Sequence, residues 1–538
     1  MKKNIVNLLI TLVFGGIIYY FMLPPINLSS PLFWFFVVIL FVIYIMCSLV
    51  NSGVNIVSRN GRFDFSGDFA SVKSAKYAFF ALLVIFAGII VVNLICSPIF
   101  NATAYGSRIE VLDDTEFNED VAEVDFSKVP LLDKASSRKL GDRKMGQMAD
   151  LVSQYVVSDL YTQINYNDEI VRVTPLEYAD VIKYFTNKKT GVPGYILVDS
   201  VSGESNLIRL DKGMKYMPSA MFGEDLARKL RFEYPTAIFG DPNFEIDNEG
   251  NPYWIVPTIK YVGVGLRTEI SSIVVLDAIS GKSEKYELNS VPEWIDHVYE
   301  ADLIIEQVDN WGEYNSGFFN SLFGQKNVVN TTDGYNYLAL NGDIYVYTGI
   351  TSVSTDESNI GFILSNMRTK ETHFYAVPGA EEYSAMASAE GLVQEKQYVA
   401  SFPLLINLNN RATYFLSLKD AAGLVKMYAF VDVEDYQKVT TSDSSLGIDA
   451  AANKYLSDYS FDKTVVKTLE KKIKIKTIEN VVIDGNTYYY ISDNDNLKYV
   501  VSIKTNRLLL PFIGVGASVE ITYSENEVNE IIALRMAE

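Results

Sequence analysis

The sequence predicts an α+β protein with three N-terminal transmembrane helices, then tandem antiparallel-sheet/helix modules, then a small C-terminal β-barrel. Three observations predict it. The opening hundred residues hold three long uncharged apolar runs, a strand–turn–strand motif returns further along the chain, and the stretch from Thr464 onward alternates apolar with polar residues.

The apolar runs come first. Ile5–Leu23, Leu32–Val50 and Tyr77–Ile95 each lack any charged residue, and at about 1.5 Å per residue each spans a hydrocarbon layer of roughly 30 Å. The first run resembles a signal peptide in its Met1-Lys2-Lys3 start, but it ends in Leu23-Pro24-Pro25 without a small-x-small cleavage site, so retention is expected. A lipoprotein reading of Leu94-Ile95-Cys96 fails on the bulky Ile95. Lys2 and Lys3 precede the first run, whereas Arg59, Arg62, Lys73 and Lys76 separate the second from the third. Basic segments stay in the cytoplasm. The expectation is therefore a multi-pass membrane protein with a cytoplasmic N-terminus and an extracytoplasmic domain after the third span. Asn7, Thr11, Ser48 and Asn93 are too few polar residues for a transport route.

Charge and cysteine content narrow the partners. The chain has 46 Lys and Arg against 66 Asp and Glu; six of the bases and two of the acids fall within Met1–Cys96, which leaves 40 against 64 beyond it, a net of −24. So acidic a surface is repelled by phosphate backbones and anionic lipid headgroups, and nucleic acid is not expected as a partner. The expected partners are the lipid bilayer and an envelope protein or the cell wall. Cys47 and Cys96 both belong to the apolar region, so the domain beyond has no disulfide, which fits a Gram-positive-type or anaerobic surface better than an animal secretory route.

The sequence divides into a three-helix anchor at 1–96, an acidic stalk or linker at 97–142, a first module pair at 143–310, a second at 311–460 and a barrel at 464–538. Met145, Met148, Leu151, Val152, Tyr155 and Val156 recur at helical spacing and predict a helix opening the domain. Ile196-Leu-Val-Asp199-Ser-Val-Ser-Gly203-Glu-Ser205 then aligns with Val274-Val-Leu-Asp277-Ala-Ile-Ser-Gly281-Lys-Ser283, with Asp, Ser, Gly and Ser in common. A weaker copy begins at Ile363, with Asn366 for Asp and Lys370 for Gly, and a fainter one at Tyr414. Each reads as a hairpin whose Asp caps the turn and whose Gly adopts positive φ. Pro218, Pro292 and Pro378 follow three of them, each before acids, and predict helix starts.

This strand–Asp-x-x-Ser-Gly–strand element beside a helix resembles the PepSY-type modules of bacterial extracytoplasmic proteins, in which a helix covers an antiparallel sheet. The resemblance implies inhibition or chaperoning of secreted peptidases, or another binding role in the envelope. As a whole the chain resembles the membrane-anchored envelope proteins of Gram-positive-type bacteria. After Thr464, strands are predicted at Val465–Ile478, Val481–Tyr490, Lys498–Ile503, Leu508–Phe512, Val519–Tyr523 and Ile531–Leu534, with Asp484-Gly485 as a hairpin turn. Such a set resembles a small barrel of the OB type. With nine bases and ten acids this stretch is nearly neutral, which fits structural or protein-docking use rather than nucleic-acid binding.

No catalytic, cofactor-binding or metal-binding residue is assigned. Only His297 and His373 exist, and the domain lacks a cysteine nucleophile. Ser136-Ser-Arg-Lys139 matches S-x-x-K inside a polar linker. Asp241, Asn243 and Glu245 open an EF-hand-like pattern that lacks its Gly and its final Glu. Asp493 and Asp495 read as a turn, His297 as a structural residue on a helix from Trp294 to Tyr299, and Tyr335, Tyr337, Tyr345 and Tyr347 as alternating strand residues. The expected function is a non-catalytic, membrane-anchored scaffold or interaction protein. An envelope hydrolase working through paired carboxylates and a regulator of a secreted peptidase are the alternatives; a deep cleft with two facing carboxyls of raised pKa favours the hydrolase.

Overall fold

The computed structural model of the chain describes residues 2–52, 55–59, 62–66, 72–113, 116–340, 342–352, 358–459, 468–483, 486–524 and 528–537. They form a mixed α+β protein with three apolar N-terminal helices and several antiparallel sheets. Helices α1 (Lys2–Met22), α2 (Pro31–Asn51) and α3 (Lys73–Cys96) are long and apolar enough to cross a membrane. A hairpin, β1 (Asn55–Arg59) and β2 (Arg62–Ser66), joins α2 to α3. Two polar contacts of the spans pair helix with helix, Asn51 donating to Asn7 and Ser48 bonding Ser74, while Thr11 Oγ1 donates to the Asn7 carbonyl one turn back on α1 at 2.9 Å. Apolar surroundings leave such groups no other partner.

After α3 come α4 (Pro98–Gly106), β3 (Val111–Leu112) and α5 (Phe117–Asp120). The stalk expected at 97–142 is not one. Arg108 is buried and bonds Glu269 at 3.1 Å and Glu306 at 2.6 Å, while Phe117, Val121, Phe126 and Val129 enter the largest hydrophobic cluster. These apolar residues stand singly among acids, without a period, and so leave no pattern to read.

Four units of one design follow. The first comprises α6 (Lys134–Gly146), β4 (Tyr155–Val157), β5 (Thr162–Tyr166), β6 (Glu169–Tyr178), α7 (Val181–Asn187), β7 (Val192–Asp199) and β8 (Ser205–Met214). The second has α8 (Leu226–Glu233), β9 (Ile238–Phe239), β10 (Asn243–Ile246), β11 (Pro252–Val262), β12 (Arg267–Asp277) and β13 (Ser283–Glu287). The third has α9 (Ala301–Tyr314), β14 (Val329–Thr331), β15 (Asn336–Leu340), β16 (Asp343–Ser352), β17 (Ser358–Asn366), β18 (Thr372–Tyr375) and a short β19 (Gly379–Ala380). The fourth has α10 (Glu382–Leu392), β20 (Val399–Ala400), β21 (Leu404–Leu408), β22 (Arg411–Lys419), β23 (Val425–Asp432) and β24 (Val439–Asp443). In every unit the third strand pairs with the two short strands before it and with the fourth, which pairs with the fifth. Strand β3 joins the third sheet, parallel to β18.

The helix expected over Met145–Val156 ends instead at Gly146. Beyond it, Met148 N donates to Met145 O, Leu151 N to Met148 O and Gln154 N to Leu151 O, a run of turns that keeps a three-residue apolar repeat before β4. Asp133 caps the true helix by accepting from Ser136 N at 2.9 Å. Pro218, Pro292 and Pro378 likewise lie ahead of the helices, not in them; α8, for one, is capped by Asp225, which accepts from Arg228 N at 2.8 Å. Each helix opens the unit that follows, so α9 crosses the boundary expected at 310.

The repeated turns agree bond for bond. Asp199 Oδ1 accepts from Val201 N and Ser202 N at 2.8 and 3.1 Å, and Asp277 Oδ1 from Ile279 N and Ser280 N at the same distances. Asn366 Oδ1 does so with Arg368 N and Thr369 N at 2.8 and 3.0 Å, and Lys370, standing where the others have Gly, holds φ of 65°.

Apolar faces are shared between neighbours. Units one and two enclose one core, with Trp254 and Phe244 at its centre; units two and three meet over α9; units three and four enclose the largest, with α10 and α11 (Ile448–Asp458). The order closes on itself, because Leu131 N donates to Ser200 O at 2.8 Å in the first unit while Leu131 O accepts from Ser417 Oγ at 3.0 Å in the fourth. Beyond α11, β25 (Thr468–Ile483), β26 (Asn486–Asp493), β27 (Lys498–Ser502), β28 (Ser518–Ser524) and β29 (Asn529–Met536) pair in the closed cycle β25-β26-β27-β29-β28 around their own core. The Asp484-Gly485 turn lies outside the described residues. Leu508–Phe512, expected as a strand, is a helical turn: Pro511 lacks an N–H, and Asn506 Oδ1 takes that of Leu509 at 3.1 Å.

Candidate functional site

The first hairpins of the units converge, and there the chain buries a cluster of charged and polar side chains. Strand β10 supplies Glu245, β5 supplies Gln163, β6 supplies Arg172, β15 supplies Tyr337, and the approach to α9 supplies Asp296 and His297. Glu245 is 0% exposed and Asp296 2%. The carboxylate of Glu245 accepts Asp296 N on Oε2 at 3.0 Å and His297 N on Oε1 at 3.1 Å. Asp296 Oδ2 in turn accepts Asn165 N at 2.7 Å, and Asn165 Nδ2 donates to Gly342 O at 2.7 Å. Three units are thus tied through a few side chains.

His297 does not lie on the expected helix, because its backbone N–H is taken by Glu245 and those of Val298 and Tyr299 by the Met367 carbonyl. Its Nε2–H donates to Gln163 O at 2.6 Å, which fixes the neutral tautomer. Burial pushes the imidazole down to about 4 and, with the nearby Glu245 carboxylate, pushes Asp296 well above the usual carboxylate range. Glu245 is raised by burial too, against the two N–H bonds it accepts. Burial lowers Arg172 to about 10, opposed by the charge of Asp133. Two buried carboxyls and a histidine are the groups acid–base chemistry uses. Here each is held by backbone, and none of the three lines the openings described next.

Beside them, Gln163 and Arg172 line a cavity of about 20 Å³, room for roughly one water. A wider cleft of about 430 Å³ lies between α5, the turn after β18 and the β21–β22 turn, with Asp113, Glu116 and Glu434 on its walls beside Phe117, Phe374 and Pro378. Arg411 at its edge bonds Asp432 at 2.9 Å.

The remaining residues singled out in the sequence are structural. Ser136 and Lys139 both lie on α6, where Ser136 N meets its cap and Lys139 Nζ donates to Ala422 O across the seam to the fourth unit. Of the EF-hand-like stretch, Asp241 N donates to Glu300 Oε1 at 3.0 Å and Asn243 lies on β10 opposite Ile255, while Glu245 belongs to the buried cluster. Asp493 binds Lys471 Nζ at 2.9 Å and Tyr499 OH at 3.1 Å. Tyr347 is buried with its hydroxyl on Pro403 O, and the rings of Tyr335 and Tyr337 pack 5.8 Å apart. His373 stacks on Tyr375 at 6.1 Å and lies 3.2 Å from Glu371. Among the described residues, no group of three or more His, Cys, Asp or Glu could hold a metal. The Glu245–Asp296 pair escapes sequence reasoning because 51 residues separate the two, and the EF-hand-like pattern that marks Glu245 says nothing of Asp296.

No family model matches the chain, and no curated protein matches it. Among solved structures, a mutant of the Synechocystis apocarotenoid oxygenase is similar at 9% identity over 73% of this chain with a TM-score of 0.15, and the chain spans only 64% of that protein's length. MPT-1, a GDP-Man-dependent mannosyltransferase from Leishmania mexicana, is 10% identical over 67% of this chain and 92% of its own, with a TM-score of 0.13. A mutant of B. megaterium levansucrase is 11% identical over 82% of this chain and 99% of its own, with a TM-score of 0.16. Likeness at that level carries neither fold nor function.

Proposed function

We propose that this chain is a membrane-anchored scaffold or interaction protein of a bacterial envelope, with the domain beyond α3 outside the cytoplasm and binding a protein or wall partner without catalysis. The observation that carries this reading is the state of the Glu245–Asp296 pair. A hydrolase needs one such carboxyl at an open cleft. Both are sealed instead, bonded to backbone N–H groups of neighbouring segments, where they fasten the units together. Such a design spends its perturbed carboxyls on rigidity.

Orientation rests on Lys2, Lys3, Arg59, Arg62, Lys73 and Lys76. The repeated helix-on-sheet units support a PepSY-like reading, and the strand order β25-β26-β27-β29-β28 supports an OB-like one for the terminal barrel. The test is in-cell photo-crosslinking from Asn118 and Asn410 at the 430 Å³ cleft, combined with protease added to intact spheroplasts. One discrete cross-linked neighbour, and digestion of the domain without lysis, are expected. Digestion only after lysis would reverse the orientation, and absence of any neighbour would remove the scaffold reading.

A further inference from the structure

All three spans dock on the second unit through their ends at one membrane face. Ile26 N donates to Pro235 O at 2.8 Å, Gly265 N to Ser29 O at 3.0 Å, and Asn93 both accepts from Val264 N at 2.8 Å and donates to Val264 O at 3.1 Å. Arg231 Nε adds a bond to Leu23 O at 2.9 Å. Two exposed apolar patches begin at this junction and lead away from it.

The first starts at α1. The Arg228 guanidinium lies 4.5 Å from the Tyr20 ring centroid and donates to Phe222 O at 2.9 Å; the Phe222 ring is 6.1 Å from that of Phe185, and Ile182 is one turn away on α7. The second starts at α3. Tyr105 OH donates to Cys96 O at 3.2 Å, its ring meets Tyr314 at 6.1 Å, and Tyr314 stacks on Phe318 at 6.5 Å; Phe319, Leu322 and Phe323 follow, the last 81% exposed. A soluble surface seldom carries such clusters without a covering partner.

Charge selects the partner. In a domain of net −24, residues 181–190 hold Lys183, Lys188 and Lys189 with no acid and residues 317–328 hold Lys326 with no acid; of the acids beside the first patch, Asp180 and Asp225 cap α7 and α8, and Glu224 accepts the Tyr184 hydroxyl at 2.9 Å. Lys188 Nζ sits 5.3 Å from the Phe185 ring centroid, an aromatic body under a cationic head. Aromatic and aliphatic groups rimmed by lysine, continuous with membrane-crossing helices, have the chemistry of an interfacial anchor. We propose that these two patches are wings that dip into the same leaflet on either side of the span bundle and hold the domain flat against the bilayer, a lipid surface being their partner.

The experiment uses the full chain in vesicles of phosphatidylcholine with an anionic phospholipid, with and without bromine on the acyl chains. Tryptophan replaces Phe222 or Phe323, with Leu322→Trp as a second reporter in the latter wing; native Trp34 at the start of α2 is the internal positive control. For insertion about 5–10 Å deep, emission added by each reporter falls about twofold or more with brominated lipid and resists acrylamide. Acrylamide quenching without any bromine effect overturns the proposal. So does shielding from both quenchers, which assigns the patch to a second copy or a protein partner.

Discussion

At the residue scale the converging hairpins set a pH dependence. Asp296 has a raised pKa in the fold, so between its unfolded value of 3.8 and the folded one the native state binds more protons than the unfolded state. Stability from this group is complete below that window and is lost as pH rises through it. Asp296→Asn keeps an oxygen for Asn165 N and removes the titration. Urea unfolding in micelles should show the variant gaining on the parent as pH rises from about 4, by about 1.4 kcal/mol per pH unit until the folded-state carboxyl ionises; a pH-independent difference would refute the assignment. His297 runs the other way. Its folded value of about 4 lies below 6.5, so its contribution is complete above 6.5 and fades as pH falls toward 4. Replacing it with Gln should therefore lessen acid sensitivity across that window, measured by the same titration. The structural role of His297 was legible in the sequence but these pKa shifts were not, because desolvation is decided by what a side chain meets, and these residues meet across unit boundaries.

At the element scale the turns separate two costs. Gly203 and Gly281 hold φ of 77° and 71°. A Cβ on Gly203 would find only Leu132 Cδ1 at 3.5 Å and Leu140 Cδ1 at 3.8 Å, whereas on Gly281 it would stand 2.2 Å from the Tyr216 ring. Gly203→Ala should cost about 1–2 kcal/mol for the left-handed backbone alone, and Gly281→Ala clearly more; equal losses in denaturant midpoint would contradict the packing. Asp225→Ala, which removes the cap of α8, should cost about 1 kcal/mol on the same measurement. These turns were readable because their chemistry is local: an Asp that accepts two N–H groups and a Gly that turns leave a fixed spacing. Helix starts were not, since Pro218 and Pro292 only end the preceding segment. The three apolar spans were readable for the opposite reason, that lipid asks for composition and length rather than for particular partners.

At the scale of the whole molecule, α6 and the residues before it join the first unit to the fourth. Asp133 caps α6 and bonds Lys419; burial pushes its carboxyl up, but hydrogen bonds from Lys419 and Ser136 outweigh that and hold it below the usual range. Asp133→Ala should thus open the seam, seen as faster amide exchange in residues 131–139 and 417–424 with the barrel core unchanged. The same closure governs biosynthesis. Ser417 and Leu131 are 286 residues apart in sequence, and the fourth unit supplies Phe430, 6.0 Å from the Phe126 ring, and Asn407, which donates to Val121 O at 2.7 Å. A chain stopped after Pro378 should bind a hydrophobic dye and aggregate while still inserting its spans. Contacts of such separation form last. For as long as the ribosome is still adding the fourth unit, a greasy strip just past the third span stays uncovered, and whatever escorts the nascent chain has to shield that strip until the ring shuts.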